Sequence, residues 1–163
     1  MNAMRRQQGF FLLEALVAIL IFSLGVLGMI AMGGAAIAGQ SDAQVRTEAA
    51  ALAAELAGQI ALNVDRTGET QLAASLPRFE HQGTIAAGSY CTFTGAASAD
   101  PIILAWQAKV VGAGGLPGAA AAFQSVHVDT TATGYNSVQI SMCWQAPNDT
   151  GKRRYVTTVY VNL

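Results

Sequence analysis

Residues 9–38 read GFFLLEALVAILIFSLGVLGMIAMGGAAIA, and the reading of this stretch decides the fold. The run from Phe10 to Ala38 carries one charge, Glu14, and from Ala15 to Ser41 there are 27 residues without any. A bilayer is crossed by a helix of roughly 20 apolar residues, so this run is long enough. Arg5 and Arg6 lie on its N-terminal side. The positive-inside rule keeps that end cytoplasmic and places the rest of the chain across the membrane. A secretory signal peptide has an apolar region of about 7–15 residues, far shorter than this one. Ala36-Ile37-Ala38 nevertheless imitates a small-residue cleavage site. A plain signal anchor fits the length but leaves Glu14 without a role. An acid at the centre of a membrane helix costs roughly 2.5–3.5 kcal/mol, less if it snorkels to the cytoplasmic interface.

The composition agrees with this division. The chain has 163 residues, about one domain's worth. It is 52% hydrophobic and 12% charged, with a net charge of −1. Disorder requires the opposite balance, and binding of nucleic acid through a basic face requires a strong positive excess. A charge-free front ahead of a charged remainder is not the pattern of a soluble cytosolic domain.

The residues around Glu14 narrow the reading. A short basic leader ends in Gly9, Phe10 and Phe11 follow, and Glu14 is the fifth residue counted from Phe10. This matches the pattern G-[FM]-x-x-x-E followed by an apolar run. It resembles the N-terminus of type IV pilins and of the pseudopilins of type II secretion. The resemblance implies a leader at residues 1–9, removed by a prepilin peptidase that cuts between Gly9 and Phe10. It implies N-methylation of Phe10, and an ion pair between Glu14 and the N-terminal amine of an adjacent subunit during assembly. Chemistry supplies a reason. Cleavage creates a cationic amine at the head of an apolar helix, where the helix dipole adds further positive charge. A buried carboxylate that is costly alone becomes favourable when such a partner docks. Glu14 is then an assembly register, not a catalyst.

Helical periodicity continues beyond the apolar run. Val45, Ala49, Leu52, Leu56 and Ile60 recur at helical spacing, an amphipathic stripe. One continuous helix is expected from about residue 10 to 62, roughly 80 Å at 1.5 Å per residue. Its first half is transmembrane and its second half packs on a globular domain. The stretch from Asn63 to Gly68 reads as the stop. Gly25, Gly28, Gly33, Gly34 and Gly39 lie inside the helix at about 1 kcal/mol each relative to alanine. They suit close helix packing in a lipid or filament environment; the alternative is a weak segment that unwinds on leaving the membrane. Many major pilins carry a proline here, and this chain carries none.

Residues 63–163 form the expected periplasmic domain. Leu72 to His81 reads as a loop or short element around Pro77, and Ser89 to Thr94 has strand composition. Asp100 and Pro101 announce a helix start as N-cap and first residue. Ile103, Leu104, Trp106 and Val110 give that helix an apolar face, and Gly112 to Gly118 breaks it. Three strands follow, Phe123 to Asp129, Ser137 to Gln145 and Arg154 to Val161, joined by turn-rich connections as an antiparallel meander. On the second strand Val138, Ile140, Met142 and Trp144 share a face. Cys91 and Cys143 are the two cysteines. An oxidising location favours a disulfide between them, worth about 4 kcal/mol in the chain-entropy account; the alternative is two free buried thiols. The fold class is thus α+β, a long N-terminal helix packed on a small antiparallel sheet domain. The order of elements resembles the PilV-like branch of minor pilins.

Other chemistry is not evident. His81 and His127 read as isolated surface or strand histidines, with no ligand spacing around them. The glycine-rich run at Gly112 lacks the lysine and hydroxyl of a phosphate loop. Lys152-Arg153-Arg154 reads as a solvated basic corner, or as a contact for DNA, an anionic surface or a neighbouring subunit. Asn148 to Thr150 fits a glycosylation sequon. No cofactor, metal, small-molecule substrate or catalytic set is expected, and no nucleic-acid partner. The resemblance implies a minor type IV pilin in the inner membrane and at the pilus tip, active in pilus assembly, adhesion and twitching motility. Its implied partners are prepilin peptidase, other minor pilins, the major pilin, the inner-membrane assembly platform and the membrane itself. A minor pseudopilin of type II secretion shares the same N-terminus, and a DNA-uptake pilin is a third reading. A membrane-anchored periplasmic protein unrelated to filaments, an enzyme for instance, is the rival of a different class.

Overall fold

The computed structural model describes residues 8–147 and 149–163. The leader positions Arg5 and Arg6 and the sequon residue Asn148 lie outside the described residues. The chain divides into two compact units, Met1–Ala43 and Gln44–Leu163. A single helix, α1, runs Gln8–Asn63 and contributes to both.

In the first unit every side chain described between Phe11 and Ser41 is exposed. Phe11, Leu16, Phe22, Met29 and Ile37 are all more than 60% exposed. The backbone is satisfied by the helix itself, and Ser23 returns its hydroxyl to the Ile19 carbonyl at 2.7 Å. A helix that is apolar on all sides belongs in a membrane or inside a larger body. This one is long and apolar enough to cross a membrane. A Cβ added at Gly25, Gly28, Gly33, Gly34 or Gly39 would meet nothing within 4 Å. Within one chain, then, nothing requires those glycines.

The second unit has a core. From α1 it takes Ala49, Ala53, Leu56 and Ile60, all fully buried, with Val45, Leu52 and Ala57 packed at their margin. Ala53 joins the expected stripe, because i, i+4, i+7 and i+11 from Ala49 describe one face of the helix. After Asn63 the Asp65 carboxylate accepts the Thr67 N–H and hydroxyl, a side-chain turn that stops α1. Of the two readings of the segment around Pro77, loop or short element, the structure shows the second. It is helical: α2 spans Glu69–Ser75 and runs into a 3-10 turn over Leu76–Phe79. Leu72, Leu76 and Phe79 fall at i, i+4 and i+7 and are buried. Pro77 sits in the first turn of its element, where a missing N–H does no harm.

Two short strands, β1 (Thr84–Ile85) and β2 (Phe93–Thr94), pair antiparallel. Only the last two residues of the expected Ser89–Thr94 strand belong to a strand, because the chain before them turns through hydrogen bonds to the Ser89 hydroxyl. The next helix, α3, spans Pro101–Val111, and the Asp100 carboxylate caps the Ile102 N–H at 2.9 Å. Ile103, Trp106 and Val110 are buried, whereas Leu104, one residue round the helix, is largely exposed. The glycine-rich run after α3 is a packing device. A Cβ at Gly115 would strike the Lys109 and Val110 carbonyl oxygens, and Gly118 has φ +63° against the Gln145 backbone.

The three remaining strands are β3 (Gln124–Asp129), β4 (Ser137–Trp144) and β5 (Arg153–Tyr160), in the order β3-β4-β5, antiparallel throughout. The inner face of β4 presents Val138, Ile140, Met142 and Trp144 to the core. Each such side chain contributes about 1.5–3 kcal/mol on burial. Ser141 and Cys143 on the opposite face are also buried, so β4 is the strand covered on both sides. The long apolar N-terminal helix and the small antiparallel sheet domain make an α+β, pilin-like fold.

Candidate assembly helix and its supporting domain

The sequence singles out Gly9, Phe10 and Glu14 at the head of α1 and Cys91 and Cys143 in the second unit. Gly9 and Phe10 are helical in backbone. Glu14 follows Phe10 by four residues, one helical turn and about 6 Å along the axis. Its side chain is exposed among exposed apolar neighbours, with Phe11 three residues before it and Val17 three after. Among the described residues it has no ion-pair partner. Were this surface covered by lipid or by other helices, the carboxylate would need a cation from outside the described residues.

Cys91 and Cys143 form a disulfide with Cα atoms 5.8 Å apart and a sequence separation of 52. With Phe93 they build a second, small apolar cluster, flanked by Phe123. The bond fastens the segment before β2 onto the outer face of β4.

The basic run beside it meets solvent, with Arg153 exposed and Lys152 and Arg154 half-buried, and each of its cations also has a partner within the chain. Lys152 stands over the Phe123 ring at 3.6 Å. Arg153 forms a two-pronged ion pair with Asp149, Nε to Oδ2 and Nη2 to Oδ1 at 3.1 Å each. That contact holds the Asp149 carboxyl below its ordinary range. Arg154 lies over Tyr90 and Phe93 at 5.6 and 5.4 Å and donates to the Ser141 hydroxyl. A guanidinium or ammonium over an aromatic ring is attracted by the ring quadrupole. Of the three cations Arg154 packs on the disulfide-bearing segment, Lys152 on Phe123 beside it, and Arg153 holds Asp149.

A polar cluster that sequence reading passed over lies on the other edge of the sheet. His81 is 1% exposed, neither on the surface nor in a strand. Its backbone exchanges two hydrogen bonds with Val126 of β3. The Ser98 N–H donates to Nδ1 at 3.1 Å, which leaves the ring proton on Nε2. The Gln107 side-chain amide lies 3.0 Å from Nε2, and its oxygen is the atom that suits that donor. Burial lowers the His81 pKa. Around it the Ser98 hydroxyl donates to the Arg78 carbonyl, and Arg78 pairs with Asp100 at 3.5 Å. Asp100 was legible as a helix cap. His81 was not, because its partners are 17 and 26 residues away.

Among the described residues there is no group of three or more histidines, cysteines or acids arranged to hold a metal. No family model, curated protein or solved structure matches this chain. The likeness to pilins stands on layout, a long apolar N-terminal helix and a small sheet domain, and on the residues around Glu14.

Proposed function

We propose that this chain is a minor type IV pilin, similar to the PilV-like branch, which takes part in initiating pilus assembly. The observation that carries the reading is Glu14, the single charge between Phe11 and Ser41, a stretch of helix α1 whose described side chains are all exposed. The prepilin is held in the inner membrane with residues 44–163 in the periplasm. Prepilin peptidase removes residues 1–9, and with them Arg5 and Arg6, the charges that hold the front end at the cytoplasmic surface. The new Phe10 amine is methylated. Glu14 then neutralises the amine of a neighbouring subunit as the apolar helices gather, exchanging lipid for protein. The neighbours are other minor pilins and the major pilin, and the second unit presents the surface that selects them. Adhesion and twitching motility follow from the filament so begun.

The test has two parts. The mass of the protein from its native membranes is expected to correspond to a chain beginning at methylated Phe10. A chain beginning at Met1 in a host with prepilin peptidase, or at Gly39, would overturn the reading. Glu14→Ala should leave membrane insertion intact, since it removes a charge from the apolar run. Incorporation into filaments should fall by about 100-fold or more, because removing one partner of a buried ion pair costs about 3–5 kcal/mol. Unchanged incorporation would exclude the pairing.

A further inference from the structure

Helices α1 and α3 both bury one face in the core of the second unit, and residues of both line a cavity of about 310 Å³. Its apolar wall is Leu56 of α1 with Ile102, Ala105 and Trp106 of α3. Glu55 and Lys109 also line it, and their ion pair bridges the two helices. The spacing on α3 makes the groove. Ile102, Ala105, Trp106 and Lys109 fall at i, i+3, i+4 and i+7, which is one face of a helix. In the middle of that face stands Ala105, its smallest side chain, beside Trp106.

Trp106 is 4% exposed, and its indole Nε1 is buried without a hydrogen-bond partner among the described residues. A buried indole N–H ordinarily finds an acceptor, because an unpaired donor forgoes the bonds it makes to water in the unfolded chain. The polar side chains that follow it on α3 are paired. The Gln107 amide meets His81, and Lys109 meets Glu55. The cavity thus combines apolar walls, a neutral ion-paired bridge and one buried donor that calls for an acceptor from outside the described residues.

We infer that the cavity between α1 and α3 binds a small, planar, apolar molecule that carries a carbonyl oxygen. Its rings lie against Leu56, Ile102 and Trp106, where removal of apolar surface from water favours them. Its oxygen accepts the Trp106 N–H. A hydroxyl would meet that donor as well, but it would bring a proton of its own into an apolar wall, where an unpaired polar group is costly. A volume of about 310 Å³ is at the small end of ligand sites and suits one or two fused rings. Glu55 and Lys109 cancel each other in charge, so the ligand is neutral. The inference stands apart from the pilin reading, because it concerns a cavity within the second unit alone.

Two probes that differ at one oxygen test it, 1-tetralone and its hydrocarbon tetralin. The full-length protein is held in lipid nanodiscs with isotope-labelled tryptophans. The indole N–H resonance of Trp106, assigned by its loss in Trp106→Phe, should move on titration with 1-tetralone while that of Trp144 stays. Calorimetry against protein-free nanodiscs, referred to free aqueous probe, gives the affinities. 1-Tetralone should bind about tenfold more tightly than tetralin, the share of one hydrogen bond. Trp106→Phe keeps an aromatic wall and removes the donor, so that difference should vanish. A Trp106 resonance that 1-tetralone leaves unmoved would overturn the inference, as would equal affinity for the two probes. Should Trp106→Phe misfold, Ala105→Phe at an exposed position fills the cavity and should abolish the binding of both probes. Binding that survives Ala105→Phe would refute the site.

Discussion

Between Phe11 and Ser41 helix α1 exposes every described side chain, whereas between Ala49 and Ile60 the same helix buries about one side chain per turn. Both halves satisfy their backbones by the same hydrogen bonds. The difference lies in what the side chains meet. The front carries five glycines between Gly25 and Gly39 and no charge after Glu14 until Asp42; the rear carries Gly58 alone and spaces Arg46, Glu48 and Glu55 around an apolar stripe. Glycine at about 1 kcal/mol per position is tolerable where packing comes from outside the chain. The rear half is stabilised by its own domain and the front half by its surroundings. Stability of the second unit and helicity of the front should therefore vary independently, and that independence can be broken experimentally.

The largest expected separation comes from the disulfide. Cys91→Ser with Cys143→Ser opens a loop spanning 52 residues and should destabilise the second unit by about 4 kcal/mol. Near-ultraviolet circular dichroism of Trp106 and Trp144 in detergent would follow its melting. Front-half helicity, read by oriented infrared spectroscopy in membranes, should not change. If it falls along with the tryptophan signal, the two halves are coupled. Next in size is a matched pair of truncations within α1. Ile60 is 0% exposed and Leu20 is 60% exposed. Ile60→Ala should cost the second unit about 2–5 kcal/mol, and Leu20→Ala less than about 0.5 kcal/mol, in the range of surface changes. Equal effects in denaturant titration would show that the front half packs where it now stands exposed.

The parts of the fold legible in sequence were those with local signals. The long helix, the cap at Asp100, the break at Gly112 and the period-2 pattern of β4 each depend on residues within a few positions of one another. The segment around Pro77 reads in sequence as either loop or short element, because a proline in a first helical turn looks like a proline that breaks a helix. Leu104 looked apolar-facing because helical spacing alone does not fix which side of an 11-residue helix meets the core. The ring contacts of Lys152 and Arg154 were hidden, because Phe123, Tyr90 and Phe93 reach them only through the sheet and the disulfide. Of the candidate site, the sequence showed Gly9, Phe10 and Glu14 as a spacing pattern. The order of the last three strands was legible as well, because turn-rich connections between consecutive strands give an antiparallel meander.

The smallest expected effect is acid sensitivity confined to the second unit. The ordinary histidine value is 6.5, and burial lowers it for His81 in the folded chain. Below pH 6.5 the unfolded chain therefore takes up a proton that the folded chain refuses. Stability is full above that value and declines as the pH falls from it through the folded pKa, by at most about 1.4 kcal/mol per pH unit for one proton. The physical obstacle is Nδ1, which accepts the Ser98 N–H at 3.1 Å and cannot carry a proton while it does so. Groups around the ring do not relieve it easily. Arg78 is cationic and engaged with Asp100, and Glu80 is directed to Val128 and His127 on β3. His81→Asn keeps an acceptor for Ser98 and removes the titration. Denaturant midpoints between pH 6.5 and the carboxylate range should slope for the native chain and flatten for the variant. At lower pH both should fall together. The carboxyls of Asp65 and Asp129, held below their ordinary 3.8 by threonine hydrogen bonds, then take up protons, as does Asp149 beside Arg153. The described part of the front half carries no histidine, so its helicity should stay level across the histidine window while the second unit weakens.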